Sequence, residues 1–378
     1  MRGMDILISG ASIAGPSLAF WLRRFGFNPT VVERAPALRP GGQAVDFRGD
    51  AHLSVLRRMG VLDEIRRRQT ARQDCVFVDE SGRTHAVLPA DFTAGEVEIL
   101  RGNLSRILYD ATSSDVEYVF GDHITGVVDD GSGVDVTFSR GAPRRFDLVI
   151  GADGMHSGVR ALAFSGWTPE FLGYYVASFS APDSYGNTMC TTPGRVASPG
   201  LFLFASEELD YDRRDVAAQK EIVARAYEGM GWHTPELLEI MRDAEDFFFD
   251  PITRVRMDRI TSGRIGLVGD AGYGAALGGM GTGLAIVSSY VLAGELAAHR
   301  DHVAAFAAYE ALIRPYAAGC QGNPGPFLAP KSRTRIWLRD RMFNAMARLP
   351  LGGMFARMDM KAANGITLPD YASAGQRS

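Results

Sequence analysis

The sequence predicts an α/β fold in which a parallel-sheet domain is interrupted by a mainly antiparallel β-sheet domain and followed by a C-terminal helix. Three observations carry this expectation. A strand–helix–strand unit of about thirty residues opens the chain, helix–strand alternation lapses between about residues 166 and 260, and a short apolar strand followed by a helical pattern resumes from residue 264. The first strand is Ile6–Ser9, an apolar run closed by Gly10. A helix follows over Ile13–Phe25, where Leu18, Trp21, Leu22 and Phe25 recur at three- and four-residue spacing until Gly26 stops the pattern. Pro29–Glu33 supplies the second strand.

Beyond a loop marked by Pro36, Pro40, Gly41 and Gly42, helical patterns span Ala51–Met59 and Leu62–Arg68. Strands are expected at Cys75–Val78, His85–Leu88 and Val97–Leu100, a helix at Leu104–Ala111, and strands again at Val116–Phe120, Ile124–Val128, Val134–Phe138 and Phe146–Ile150. One long helical pattern, Val216–Met230, stands inside the aromatic-rich insert. After the strand Arg264–Val268, a helix opens around Gly281 and runs through Leu284, Val287, Val291 and Leu296. A Pro/Gly loop, Gly322–Pro330, then precedes a basic helix at Thr334–Leu349. The expected partition is discontinuous: residues 1–71, 98–165 and 263–318 in the first domain, 72–97 and 166–262 in the sheet domain, and 319–378 as a C-terminal loop and helix.

Composition narrows the function classes. Of 378 residues, 46% are hydrophobic and 22% charged, which excludes a globally disordered chain. Forty Lys and Arg against 44 Asp and Glu leave a net charge of −4, with no basic surplus to meet a phosphate backbone, so nucleic acid is not an expected partner. Cys75, Cys190 and Cys320 are too scattered for a disulfide framework or a metal pair, and the seven histidines show no ligand spacing, so a reduced, cytoplasmic setting and no metal are expected. The apolar run Leu284–Gly294 is short for a membrane span and interrupted by Ser288 and Ser289, and Met1–Asp5 runs directly into the first strand without a secretory leader.

The chemistry-bearing motifs are three glycine clusters. Gly10-Ala11-Ser12-Ile13-Ala14-Gly15 joins the first strand to the first helix, and Glu33 follows at the end of the second strand. A dinucleotide requires these residue types in a Rossmann-like unit. Gly10 permits the tight turn, the middle position lets the backbone approach a pyrophosphate, Gly15 lets helix pack on strand, and Glu33 accepts from a ribose hydroxyl. Ser12 stands where glycine is usual. The second cluster is Gly151-Ala152-Asp153-Gly154 with Ser157, Val159 and Arg160, and the third is Gly269-Asp270-Ala271-Gly272, continuing to Gly278-Gly279-Met280-Gly281-Thr282-Gly283. All three follow parallel-type strands and would converge at the carboxyl edge of one sheet, where open α/β sheets bind ligands. Each also has a plainer reading: Asp153 as a turn former, Asp270 as a helix cap, Arg101 and Arg160 as solvated charges.

In this order the motifs resemble the group A FAD-dependent monooxygenases, typified by p-hydroxybenzoate hydroxylase and the tetracycline-inactivating hydroxylases, over about residues 5–345. The resemblance implies a Rossmann-like FAD-binding domain whose inserted sheet binds substrate. Gly10, Ser12, Ile13, Ala14 and Gly15 would hold the pyrophosphate and Glu33 the adenosine ribose, with Arg34 nearby. Asp270 would meet the ribityl or pyrophosphate region, and amides of Gly279, Met280, Gly281 and Thr282 would face the isoalloxazine. Asp153 is similar to a residue linking FAD binding with nicotinamide use, Arg101 resembles the family's FAD-contacting arginine at the head of a helix, and Asp46 matches a flavin-site aspartate of the tetracycline-hydroxylase branch.

The implied reaction is flavin-borne. NADPH or NADH, bound transiently, would reduce FAD. Molecular oxygen would then add to form a C4a-hydroperoxyflavin that hydroxylates an aromatic, polyketide or antibiotic-like small molecule. No catalytic side chain is assigned. Phe171, Tyr174, Tyr175, Phe179, Tyr185, Phe202, Phe204, Phe247, Phe248 and Phe249 would either line a pocket for a planar substrate or form sheet core, and for most of them core is the favoured reading. The stretch Tyr273-Gly274-Ala275-Ala276-Leu277 lacks the proline usual beside the flavin, which leaves an FAD-dependent reductase or dehydrogenase as the alternative activity. A thioredoxin-like C-terminal domain, found in larger phenol hydroxylases, is not expected.

Overall fold

The computed structural model describes residues 1–39, 41–90, 95–274, 280–323, 325–348 and 362–371. Its central sheet has six strands in the order Thr261–Ser262, Ile265–Leu267, Leu148–Gly151, Asp5–Ser9, Asn28–Glu33 and Glu117–Phe120. All neighbours pair in parallel except the edge pair Thr261–Ser262 with Ile265–Leu267. Ile6, Leu7 and Ile8 have no exposed surface, as a central strand with helices on both faces demands. The expected strand Phe146–Ile150 is instead two strands. Arg144–Phe146 pairs antiparallel with Val134–Phe138 in a separate three-stranded sheet, while Leu148–Gly151 enters the central sheet. The break falls at Asp147, whose carboxylate accepts from the Asp5 amide at 2.8 Å and so anchors the chain as it changes sheets.

The opening helix is Ala14–Arg24 and packs against the long helix Gly281–Ala298. The latter is long and apolar enough to cross a membrane by composition, yet it is buried from Gly283 to Leu296 and serves as core. Helix His302–Cys320 was not anticipated from the sequence. Its buried face, Ala305, Phe306, Tyr309, Ile313, Tyr316, Ala317 and Cys320, has helical spacing, but alanines on the outer face and Pro315 inside blur the contrast.

The inserted sheet has seven strands in the order Phe248–Arg256, Thr168–Ser178, Leu201–Ala205, Arg195–Ser198, Thr188–Thr192, Cys75–Val78 and Thr84–Leu88. Only Thr188–Thr192 with Cys75–Val78 is parallel. The single long helix expected at Val216–Met230 ends at Ala226, and a second one, Thr234–Asp243, follows it. These two cover one sheet face, where Val223, Tyr227, Leu237 and Met241 pack among Tyr175, Phe179, Phe202, Phe204 and Phe249. Most of the aromatic set is therefore core. Tyr174 lies on the opposite face with Val176, Leu203 and Ile252.

The basic helix, Arg333–Arg348, lies beside strand Thr84–Leu88, after a four-residue helix, Gly325–Leu328, within the expected loop. Residues 362–371 return to the first domain. The Asn364 side chain accepts from the Ala51 amide at 3.2 Å, and the Tyr371 hydroxyl donates to Glu295 at 2.5 Å. The C-terminal portion is thus divided between the two sheets.

Candidate active site

The three glycine clusters leave adjacent strands of the central sheet, those ending at Ser9, Gly151 and Leu267, so the strand order itself brings them together at one carboxyl edge. Gly10 is fixed by two constraints: its φ is +110°, and a Cβ there would stand 2.5 Å from the Ala152 carbonyl oxygen. Its amide donates to Val32 at 2.7 Å, and the Ala152 amide donates to Ser9 at 2.8 Å, locking first and second clusters to their strands. At Gly15 a Cβ would lie 1.9 Å from the Gly10 carbonyl oxygen, so only glycine lets the helix start this close to the turn.

The turn leaves donors free. The helix Ala14–Arg24 has Ile13 at its N-cap, no side-chain cap and no acid in its first turn, and helix Gly281–Ala298 likewise starts at Met280 without a cap or an acid. Among the described residues, both therefore present first-turn amides without a capping side chain and with positive partial charge, the combination that binds phosphate and other anionic groups. Gly281 lies beside Asp270, since a Cβ on it would stand 3.6 Å from the carboxylate oxygen. Thr282 is half-buried and Met280 buried, while Gly279 lies outside the described residues.

Arg101 begins helix Arg101–Asp110 and donates to Ser12 Oγ at 3.1 Å; Ser105, one turn on, donates to the Ser12 carbonyl at 3.1 Å. The serine in place of glycine is thus a contact point for Arg101. Arg101 and Asp270 both keep accessible surface, yet both are desolvated by surrounding protein. The two charges lie within electrostatic reach of one another. Burial pushes the Asp270 carboxyl up, against the pull of Arg101 and Arg160. Burial pushes Arg101 down, opposed by Asp270 and Glu33 and reinforced by Arg39.

The remaining predicted residues divide. Glu33 accepts from the Ala11 and Ala35 amides, each at 2.8 Å, one on each oxygen, which leaves further lone pairs for a ribose. Arg34 is exposed just beyond it. Asp46, on strand Ala44–Phe47, is buried and held by Arg48 at 2.6 Å; burial raises its pKa while Arg48 lowers it. Asp153 accepts from Ser157 Oγ and from the amides of Gly158 and Val159, and so shapes the loop entering helix Gly158–Ala163. Its turn-forming reading is realised, although a cofactor role is compatible with it.

Arg160 corrects the solvated-charge reading. Only 2% exposed, it donates to the carbonyls of Ala271, at 2.8 Å, and Met155, and its guanidinium lies 4.2 Å from the centre of the Trp167 ring. It ties the second cluster to the third. His156 bonds Asp250 across to the inserted sheet at 2.8 Å. A cleft of about 930 Å³ lined by Arg254, Arg256, Glu310, Arg314 and Gln321 contains none of the predicted cofactor residues.

These residues fit a dinucleotide cofactor: glycines where a Cβ would clash, two uncapped helix starts, and an arginine and an aspartate within electrostatic reach of each other at the same edge. Fold and site together define an FAD-binding oxidoreductase. The sequence profile of the FAD binding domain family matches residues 3–320. A flavin-dependent monooxygenase from Legionella longbeachae is 36% identical over 401 residues, covering 99% of this chain and all of that protein. An uncharacterized protein from Mycobacterium tuberculosis is 42% identical over 331 residues, covering 81% of this chain and 88% of its own length. The crystal structure of tetracycline destructase Tet(55) superposes with a TM-score of 0.83 at 35% identity, covering 98% of this chain and 100% of the other. The chain belongs to the group A FAD-dependent monooxygenase family.

Arg101→Ala is expected to weaken FAD binding about tenfold, the effect of losing one charged hydrogen-bonding group, with little change in melting temperature. Fluorescence titration of the apoprotein with FAD measures it. Unchanged affinity would show that Arg101 does not contact the cofactor.

Proposed function

We propose that this protein binds FAD along the carboxyl edge of its central sheet, takes electrons from NADH or NADPH, and uses molecular oxygen to hydroxylate a planar aromatic, polyketide or antibiotic-like small molecule. The observation that carries the reading is the meeting of Ser12, Arg101 and Asp270 with two uncapped helix starts at one edge. In it, the amides of Ile13, Ala14 and Gly15 bind the pyrophosphate and Glu33 the adenosine ribose. Arg101 and Asp270 hold the middle of the cofactor, and the amides of Gly281 and Thr282 face the isoalloxazine. Bound FAD supplies the redox chemistry; the protein orients it, excludes water and holds the substrate.

The two helices cover one face of the inserted sheet, and on the other face Leu328 and Ala329 pack over Tyr174, Val176 and Leu203. Relatives named as flavin-dependent monooxygenases support oxygen transfer, and the likeness to a tetracycline destructase supports an antibiotic-like substrate. The three buried free thiols, Cys75, Cys190 and Cys320, suit a reducing cytoplasm. The proline-free stretch motivates the reductase alternative, but Ala275, Ala276 and Leu277 lie outside the described residues.

The test is stoichiometry. With NADH or NADPH and a panel of tetracyclines and aromatic compounds, hydroxylated product, oxygen consumed and reductant consumed are expected to reach one-to-one-to-one for at least one substrate. Recovery of all the oxygen as hydrogen peroxide with every compound would favour the reductase.

A further inference from the structure

His52 has no exposed surface, and nothing in the sequence pattern marks it. It lies on helix Gly49–Met59, where the Arg48 backbone amide donates to its Nδ1 at 3.2 Å. That nitrogen is therefore the acceptor, and the ring proton sits on Nε2. Nε2–H donates to the Tyr316 hydroxyl at 2.8 Å, and Tyr316 donates to the Ala363 carbonyl at 3.0 Å. The donors run one way, and both ring nitrogens have partners.

The ring also touches a helix start. A Cβ on Gly283 would stand 2.1 Å from His52 Cε1 and 2.2 Å from Nδ1, so the glycine exists to admit the imidazole. Gly283 is the third residue of helix Gly281–Ala298, whose first amides are uncapped. On its other side the ring meets Phe47 edge-on at 6.4 Å, and Arg48 pairs with Asp46. One neutral side chain thus contacts strand Ala44–Phe47, the start of Gly281–Ala298 and helix His302–Cys320, and through Tyr316 it is linked to Ala363 of the C-terminal segment.

We propose that His52 is a positioning residue for the flavin: it sets where the first turn of helix Gly281–Ala298 stands, and with it the amides facing the isoalloxazine. The inference rests on the FAD site proposed above. A helix start is a source of positive partial charge, so its position bears on both cofactor affinity and the ease of putting negative charge on the ring.

The test uses the FAD-loaded enzyme and its apoprotein. His52→Ala is expected to weaken FAD binding about tenfold, the scale of one helix-terminus contact, to shift the visible flavin spectrum, and to make the midpoint potential more negative. His52→Gln, which keeps a donor towards Tyr316, should recover part of each change. Gly283→Ala should act in the same direction. His52→Ala combined with Gly283→Ala should be no worse than either alone, because the new methyl enters the space the imidazole leaves. Should His52→Ala fail to fold, Gly283→Ala and Tyr316→Phe carry the same readouts. A lowered melting temperature with unchanged affinity, spectrum and potential would overturn the proposal. A wild-type protein that binds no FAD would instead refute the underlying reading, and the inference with it.

Discussion

Gly15→Val is expected to abolish FAD retention and to destabilise the first domain by about 3 kcal/mol. Even the first carbon of any side chain would lie 1.9 Å from the Gly10 carbonyl oxygen and 3.4 Å from Ile8 Cγ2, and the Gly10 backbone is not a side chain that can swing aside. Gly10 cannot move away, because its amide is bonded to Val32 and its own missing side chain faces Ala152. The helix must therefore back out of the turn, taking with it the amides that the pyrophosphate needs. Flavin content of the purified protein and urea unfolding measure the two effects. A variant that is purified fully loaded with FAD would show that the cofactor does not lie on this turn.

Arg160→Ala is expected to cost about 3 kcal/mol of stability by chemical denaturation. The substitution strands the carbonyls of Ala271 and Met155 and empties the space beside Trp167. It also removes one of the two cations holding the Asp270 carboxyl down, so that carboxyl titrates at still higher pH. Arg160→Lys keeps the charge but cannot span both carbonyls, and should recover less than half of the loss. A cost below about 1 kcal/mol would mean that the guanidinium is not the clamp between the two clusters.

What the sequence made legible follows from how local each signal is. The first helix, read as Ile13–Phe25, is Ala14–Arg24, because its spacing and the stop at Gly26 are contained within a dozen residues. The meeting of the three glycine clusters was legible too, since each follows a short apolar strand and parallel strands order their carboxyl ends alike. Burial of Arg160 was not, because it depends on Ala271 and Trp167, brought together only by tertiary packing. Nor was the break at Asp147, a single polar residue between Phe146 and the apolar run Leu148–Ile150, which only pairing with distant strands reveals. His52 gave no signal at all: one histidine in a helical pattern becomes specific only when Gly283 is seen beneath it.

The return of residues 362–371 to the first domain has a consequence for how the protein is made. Asn364 caps helix Gly49–Met59, the Tyr290 hydroxyl donates to Pro369 at 2.8 Å, and Tyr371 fills a notch that a Cβ on Gly294 would close. The central-sheet half therefore gathers segments far apart in the sequence, from residues 5–33, 148–151, 261–267 and 362–371. During translation its early strands wait, with apolar edges open, while several hundred later residues are synthesised. The inserted sheet is complete before then, once the strand ending at Arg256 has emerged. The newborn chain thus passes through a stage with a finished inserted sheet and an unfinished central sheet.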